Sequence, residues 1–415
     1  MFKPSNKELM NSKGDILIAE LDYGGHRANH VGIITRHLRS LGIEPKLLTS
    51  QQSIDQGGFD HLDLETSCFD QNSQNPAVAM PFYARCFPSA LRDQVRIFRQ
   101  ISGHLNLIQN TTRCVIFPTL QAAGLIPAGL SQKGFPVPWV GVVMAPGPHL
   151  RAHGIDTHHS ALELWVQRRS YRGLVKQPNC LGIGSFDPLF VQWINQPNVT
   201  YCPDPVSIVC SAQVDGLIAD TDKPVILIAG SIDERKKVCE LAEILEQVSR
   251  DHPLHLMIAG KPTDEIRPKL ENSPAIVALQ RTNSVDLILR RLSDSEMDFL
   301  FQRADIVWSG NLRTYGSSGA VVRAGMHGKP VVTMHKSVLG NWMQSVNGGP
   351  VVDLTSPSEL LKVFKRLVSD ADFRDSLGRQ NFQLFGENTE QKYCEILLGP
   401  LKLSDAPAEV SHGKI

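Results

Sequence analysis

Several short stretches of this sequence set glycines, hydroxyls and cations where an anion could be held. Gly230 and Ser231 follow an apolar run, and Arg235 and Lys236 come a few residues later. Gly316, Ser317, Ser318 and Gly319 open a helix-period segment that carries Arg323 one turn on. Tyr23, Gly24, Gly25, His26 and Arg27 stand between another apolar run and another helix-period segment. Glycine lets the backbone turn tightly and come close to a ligand, and the open N–H groups of a helix start attract negative charge. Thr119 after CVIFP and His149 after WVGVVMA-PGP are further polar residues just past apolar runs. The plain alternative for all of these is a serine cap, a surface turn and a solvated charge cluster. His153, His158 and His159 follow His149, but no spacing singles out metal ligands, so no metal site is expected.

The segments around these residues read as alternating strands and helices. DILIAELDYGGH (15–26) and PVILIAGSIDER (224–235) share ILIA at 16–19 and 226–229, and an amphipathic stretch follows each, at 30–42 and 237–250. An apolar strand, a Gly-containing turn and an amphipathic helix open a Rossmann-like unit. Further strands are expected at 114–119, 139–145, 180–186 and 199–205, then at 254–260, 275–281, 304–310, 329–334 and 349–354. Helices at 294–304 and 357–370 lie between them. The expected fold class is therefore α/β, with parallel sheets in two similar halves. The join should fall near 203–223, the polar stretch 50–80 reads as a long surface loop, and 403–415 as a mobile tail.

Length and composition agree with two domains. The chain has 415 residues, 42% hydrophobic and 20% charged, as ordinary folded domains do. Lys plus Arg and Asp plus Glu are both 42, so no bulk charge favours nucleic acid. Eight scattered cysteines form no C-x-x-C pair, and no apolar run is long enough to span a bilayer. A cytoplasmic location is expected.

The order of pieces in the second half resembles the nucleotide-sugar domain of GT-B-fold glycosyltransferases, in particular the large retaining family (group 1, family 4-like). The matching pieces are Gly230 with Lys236, IAG at 258–260, SDSEM at 293–297, ADIV at 304–307 and RAGMHGKPVV at 323–332. The resemblance implies two Rossmann-like domains facing each other across a cleft. Residues 1–205 would take the acceptor and 206–385 the nucleotide-sugar donor, with a helix at about 386–402 packing back on the first. It implies transfer of a sugar from a nucleoside-diphosphate donor to a glycan, lipid or small-molecule acceptor, without metal or cofactor; it favours retention, and inversion, which would need a base such as His26, stays open.

The leaving diphosphate gains negative charge as the sugar bond breaks, which is what positive groups and helix N–H donors stabilise. The resemblance assigns Gly230, Ser231, Arg235, Lys236, Gly316, Ser317, Ser318, Gly319 and Arg323 to the donor. It assigns Gly24, Gly25, Arg27 and Thr119 to the acceptor, and makes His149 and His26 the catalytic candidates. The chain departs from the family where two Glu residues flank the 316–319 loop: one position is Thr314 or Tyr315, the other Arg323. Arg323 can only donate, so it cannot grip a ribose diol as a carboxylate does; a phosphate contact and a structural ion pair are its two readings. Ser231 replaces the usual Arg, and Lys237 the Gly after the Lys. These losses also fit a non-catalytic nucleotide- or sugar-binding protein; an epimerase would need a carboxylate set that is not evident. Basic stretches at 91–101 and 164–174 suggest either solvated helix faces or peripheral contact with the inner face of a membrane.

Overall fold

The computed structural model describes residues 14–24, 27–70, 89–131, 133–155, 157, 159–208, 221–310 and 318–403. The chain divides into two compact units. The first takes described residues of Met1–Met144, His159–Cys202 and Glu390–Ile415; the second those of Ala145–His158 and Pro203–Thr389.

Among the described residues the first unit holds seven strands: β1 (Asp15–Ala19), β2 (Lys46–Thr49), β3 (Thr66–Cys68), β4 (Thr112–Phe117), β5 (Trp139–Val143), β6 (Cys180–Ser185) and β7 (Val199–Tyr201). The second holds β8 (Val225–Ala229), β9 (His255–Ala259), β10 (Val285–Ile288), β11 (Ile306–Ser309), β12 (Val331–Met334) and β13 (Val351–Val352). The sheet orders are β3-β2-β1-β4-β5-β6-β7 and β10-β9-β8-β11-β12-β13, with parallel pairing throughout. Both sheets reverse direction beside their first strand, between β1 and β4 and between β8 and β11. The crevice outside the carboxyl ends at such a reversal is where doubly wound sheets bind ligands.

Strand alternation sends side chains to two cores per unit. Ile226 and Ile228 of β8 enter one cluster, while Val225, Leu227 and Ala229 enter the other. Ile16 and Ile18 of β1 are divided in the same way from Leu17 and Ala19. Burial on both faces explains why these strands read as continuous apolar runs. The helix Glu390–Leu398 places Tyr393, Cys394, Leu397 and Leu398 in the first unit's core. Glu390 pairs there with Arg36 at 2.9 Å.

Two expectations are corrected. Residues 275–281 are not a strand but lie in the helix Pro274–Arg281, with Ala275, Ile276 and Leu279 buried. Pro274 at the first helical turn and apolar positions one turn apart favour helix, and the strand of this region is β10. The stretch 50–80 is not one long loop. Ser50 caps the helix Gln51–Asp55, and β3 pairs with β2, while 71–80 lie outside the described residues. The 403–415 tail falls outside them from 404 onward, and the 203–223 join does so at 209–220.

Candidate functional site

The carboxyl end of β8 closes with a tight pair of backbones. Gly230 has φ +92° and Gly260, after β9, has φ +146°. A Cβ on Gly260 would come within 1.8 Å of the Gly230 carbonyl oxygen, so only glycine lets the two strand ends meet. Beyond them Ile232 bridges to Pro262, and the Ile232 N–H donates to the Lys261 carbonyl at 3.0 Å. Gly260→Ala is expected to cost about 1–3 kcal/mol by overpacking, read as a lower denaturation midpoint. The Gly230 turn should be displaced with it.

This turn runs into a 3-10 segment, Glu234–Lys236, that carries the basic residues. Asp233 caps it and holds Arg235, the Arg235 backbone N–H donating at 3.0 Å and its guanidinium at 2.6 Å. The indole of buried Trp308, on β11, donates to the Lys236 carbonyl at 2.8 Å, tying the turn across the reversal of the sheet. Lys237 sits at φ +52° as the residue before the helix Val238–Ser249. The left-handed conformation explains why a glycine suits this position, and here ion pairs of Lys237 to Glu234 and Glu240 hold it instead.

The Lys236 ammonium is turned inward and donates to the Ala229 carbonyl. Burial lowers its pKa to about 8. No carboxylate lies within ion-pair distance of it among the described residues. Lys236 is thus the cation of this turn whose charge is not neutralised, whereas Arg235 is committed to Asp233.

Arg323 takes the second of its two readings. Its guanidinium donates to the fully buried carboxylate of Asp298 at 2.6 Å and to Asp294 at 3.2 Å. Asp298 also meets His327 at 3.3 Å. A buried carboxylate opposite an arginine holds it firmly, so the guanidinium is engaged by Asp298 and Asp294. Ser318 precedes the helix Gly319–Met326, whose opening N–H groups have no intrahelical partner. Ser231 is exposed after Gly230. Gly316 and Ser317 lie outside the described residues, as do Gly25 and His26 of the first unit.

His149 is fully buried and belongs with the second unit, although it follows β5 of the first. Its ring meets that of His153 edge-on at 5.6 Å, and Asn341 donates to the His153 carbonyl at 2.6 Å.

In the first unit, the crevice between β1 and β4 is organised around a residue that no sequence motif singles out. Glu20, directly after β1, is fully buried. Its Oε1 accepts from the Leu21 N–H at 3.0 Å, and its Oε2 has no hydrogen-bond partner among the described residues. Burial pushes its pKa up to about 7 against the pull of the Thr119 hydroxyl, the Arg27 guanidinium and the Asp22 and Leu21 N–H groups. Thr119, just past β4, is buried beside it. Arg27 is held by Asp22 at 2.9 Å, and the same carboxylate accepts from the Gly24 N–H at 3.1 Å. The structure therefore brings Thr119, Arg27 and Glu20 to one crevice. The signal available in the sequence was one carboxylate ending the run ILIA.

Residues 223–370 match the family described as glycosyl transferases group 1. Solved structures of similar fold cover nearly the whole chain. HepE of Anabaena, in complex with UDP, aligns with TM-score 0.62 at 12% identity, over 94% of this chain and 99% of that one. A glycosyltransferase of Rickettsia africae gives 0.58 at 14% identity, over 94% and 99%. A UDP-forming trehalose-phosphate synthase of Burkholderia xenovorans, with glucose-6-phosphate, gives 0.58 at 12% identity, over 93% and 99%. No curated protein matches by sequence. Fold and matched segment together define the class: the chain has the GT-B fold, and residues 223–370 of its second unit match the group 1 glycosyl transferases.

Proposed function

We propose that the second unit binds a nucleoside-diphosphate sugar with the diphosphate at Lys236, and that the sugar passes to an acceptor hydroxyl bound by the first unit. The observation that carries this reading is the half-buried Lys236 ammonium, with no carboxylate within ion-pair distance among the described residues, at the carboxyl end of β8 beside the reversal of the sheet. A diphosphate would supply the negative partner this cation lacks. The Gly230–Ser231 backbone, Ser318, Gly319 and the loop through Gly316 and Ser317 would add N–H and hydroxyl donors. Transfer would proceed with retention and without a metal, the developing charge resting on Lys236 and these donors. UDP is the first nucleotide to test, since the Anabaena relative was solved with it. The acceptor would be a carbohydrate or lipid-linked hydroxyl, with Glu20, Thr119, Arg27 and the Gly24–Gly25 turn as its contacts.

A thermal-shift screen against UDP, GDP, ADP, TDP and their sugars tests the donor site. A ligand at about 100 times its Kd stabilises by about 2.7 kcal/mol, so a true donor raises the melting temperature clearly. No response to any of them would remove the donor assignment.

The Arg323–Asp298 pair favours a second reading, a binding protein without turnover. Arg323 stands where the resemblance places a ribose-holding carboxylate, and its guanidinium is paired with Asp298. Stabilisation by a nucleotide sugar with no release of the nucleotide across a panel of acceptors would select it.

A further inference from the structure

The helix Ala161–Leu174 bears a charged face that neither donor nor acceptor chemistry uses. Leu162, Trp165, Arg169 and Arg172 recur at steps of three and four, with Lys176 just past the helix end, so they share one outward side. Trp165 is 58% exposed and Leu162 69%. Beside them Arg168, Arg169, Arg172 and Lys176 line a cavity of about 520 Å³, closed by Leu130 and Ser131 at the end of the helix Leu125–Leu130.

The hollow arises from a close helix crossing. A Cβ on Gly129 would lie 2.1 Å from the Ser170 carbonyl oxygen, and one on Gly173 would lie 2.0 Å from that of Gly129. The two backbones therefore touch, and the long side chains beyond the contact diverge around a space.

The four cations have no carboxylate within ion-pair distance among the described residues. Several exposed arginines elsewhere are paired, as Arg39 is with Glu44, Arg250 with Glu246 and Arg290 with Glu296. Aromatic faces hold the three arginines instead. Arg168 and Arg172 lie over Trp193 at 5.6 and 5.8 Å, and Arg169 lies over Trp165 at 6.0 Å. A ring face orients a guanidinium while leaving its charge and N–H edge open. Glu163, on the same helix, is turned away to the Ser160 N–H at 2.7 Å. The hollow borders Gln177 and Ser131, which precede β6 and β5, so it lies toward the amino-terminal edge of the first sheet. Glu20 and Thr119 are at the opposite, carboxyl edge.

We propose that this hollow is a binding site for a phosphate ester, carried either by a lipid headgroup or by a soluble molecule. The cations would bind the phosphate oxygens, and the rim of Leu130, Leu162 and Trp165 would meet whatever apolar part accompanies it. The site is independent of the donor reading.

The test uses the full chain carrying Lys236→Met, so that no response can come from the donor turn. Inorganic pyrophosphate is titrated by thermal shift, and vesicles of phosphatidylglycerol or of phosphatidylcholine are sedimented with the protein. The expected result is a response to pyrophosphate, to phosphatidylglycerol, or to both. Adding Arg168→Gln with Arg172→Gln should weaken it at least about tenfold, a loss of roughly 1.4 kcal/mol. Restoring charge with lysine at both positions should recover part of it. Loss of vesicle binding with Trp165→Ala identifies the lipid source; a pyrophosphate response alone identifies the soluble one. Failure of both probes, or binding indifferent to the two arginines, overturns the proposal.

Discussion

Lys236→Met is expected to abolish stabilisation by the nucleoside diphosphate and to lower turnover by about 10²–10³, the usual loss for one donor to a developing anion. Without ligand, the same variant should melt higher than the parent near neutral pH. Burial lowers the amine's pKa to about 8, so the fold disfavours its protonated form. Stability from this group is present above 10.5 and lost as pH falls through 8. A bound diphosphate favours the protonated form, so the parent's affinity should be greatest below pH 8 and fall above it. Methionine removes both dependences. A purely structural lysine would give the opposite pair of results, lower apo stability and unchanged ligand response. Melting curves across pH with and without UDP separate the two.

Glu20→Gln is expected to raise stability at pH 8 by up to about 3 kcal/mol and to leave it nearly unchanged at pH 4.5. The carboxyl's folded pKa is raised from 4.5 to about 7, mainly by burial. Its contribution is therefore fully present below 4.5 and lost as pH rises through 7. Glutamine keeps the shape without the charge, and its carbonyl can still accept from the Leu21 N–H. Denaturant midpoints of the two proteins should diverge steadily between these pH values. A constant difference would show that ionisation of Glu20 is not the cause. If Glu20 contacts the acceptor hydroxyl, the variant should also raise the acceptor KM while the donor KM holds. A residue that serves packing alone would leave both unchanged.

Most of the sheet was legible because parallel strands buried on both faces must be apolar throughout. VILIA, HLMIA and WVGVV therefore stand out in one dimension, and each is a strand. Short edge strands carry less of this signal. Thr66–Cys68 and Val285–Ile288 do not stand out, and the apolar AIVALQR reads as a strand although Pro274 starts a helix there. Periodicity cannot separate a short buried helix from a strand without such flanking cues.

The candidate site divides along the same line. Gly230, Lys236 and the Ser318–Gly319 helix start were visible because backbone geometry demands particular residue types at fixed spacings, and spacing is a property of sequence. What each charged group faces was not. Arg235 is committed to Asp233 and Arg323 to Asp298, 25 positions away, while Lys236 keeps its charge uncompensated. Glu20 looked like an ordinary polar residue at the end of a strand. Only the neighbourhood of β1 and β4 encloses it with Thr119, 99 positions later, and gives its carboxyl a pKa of about 7. Sequence by itself determined where chain could turn closely and which strands were buried, since those follow from local sterics and side-chain polarity. Which charges are paired and which are left to act was decided by tertiary structure, because desolvation and Coulomb energy depend on distances that only the folded chain defines.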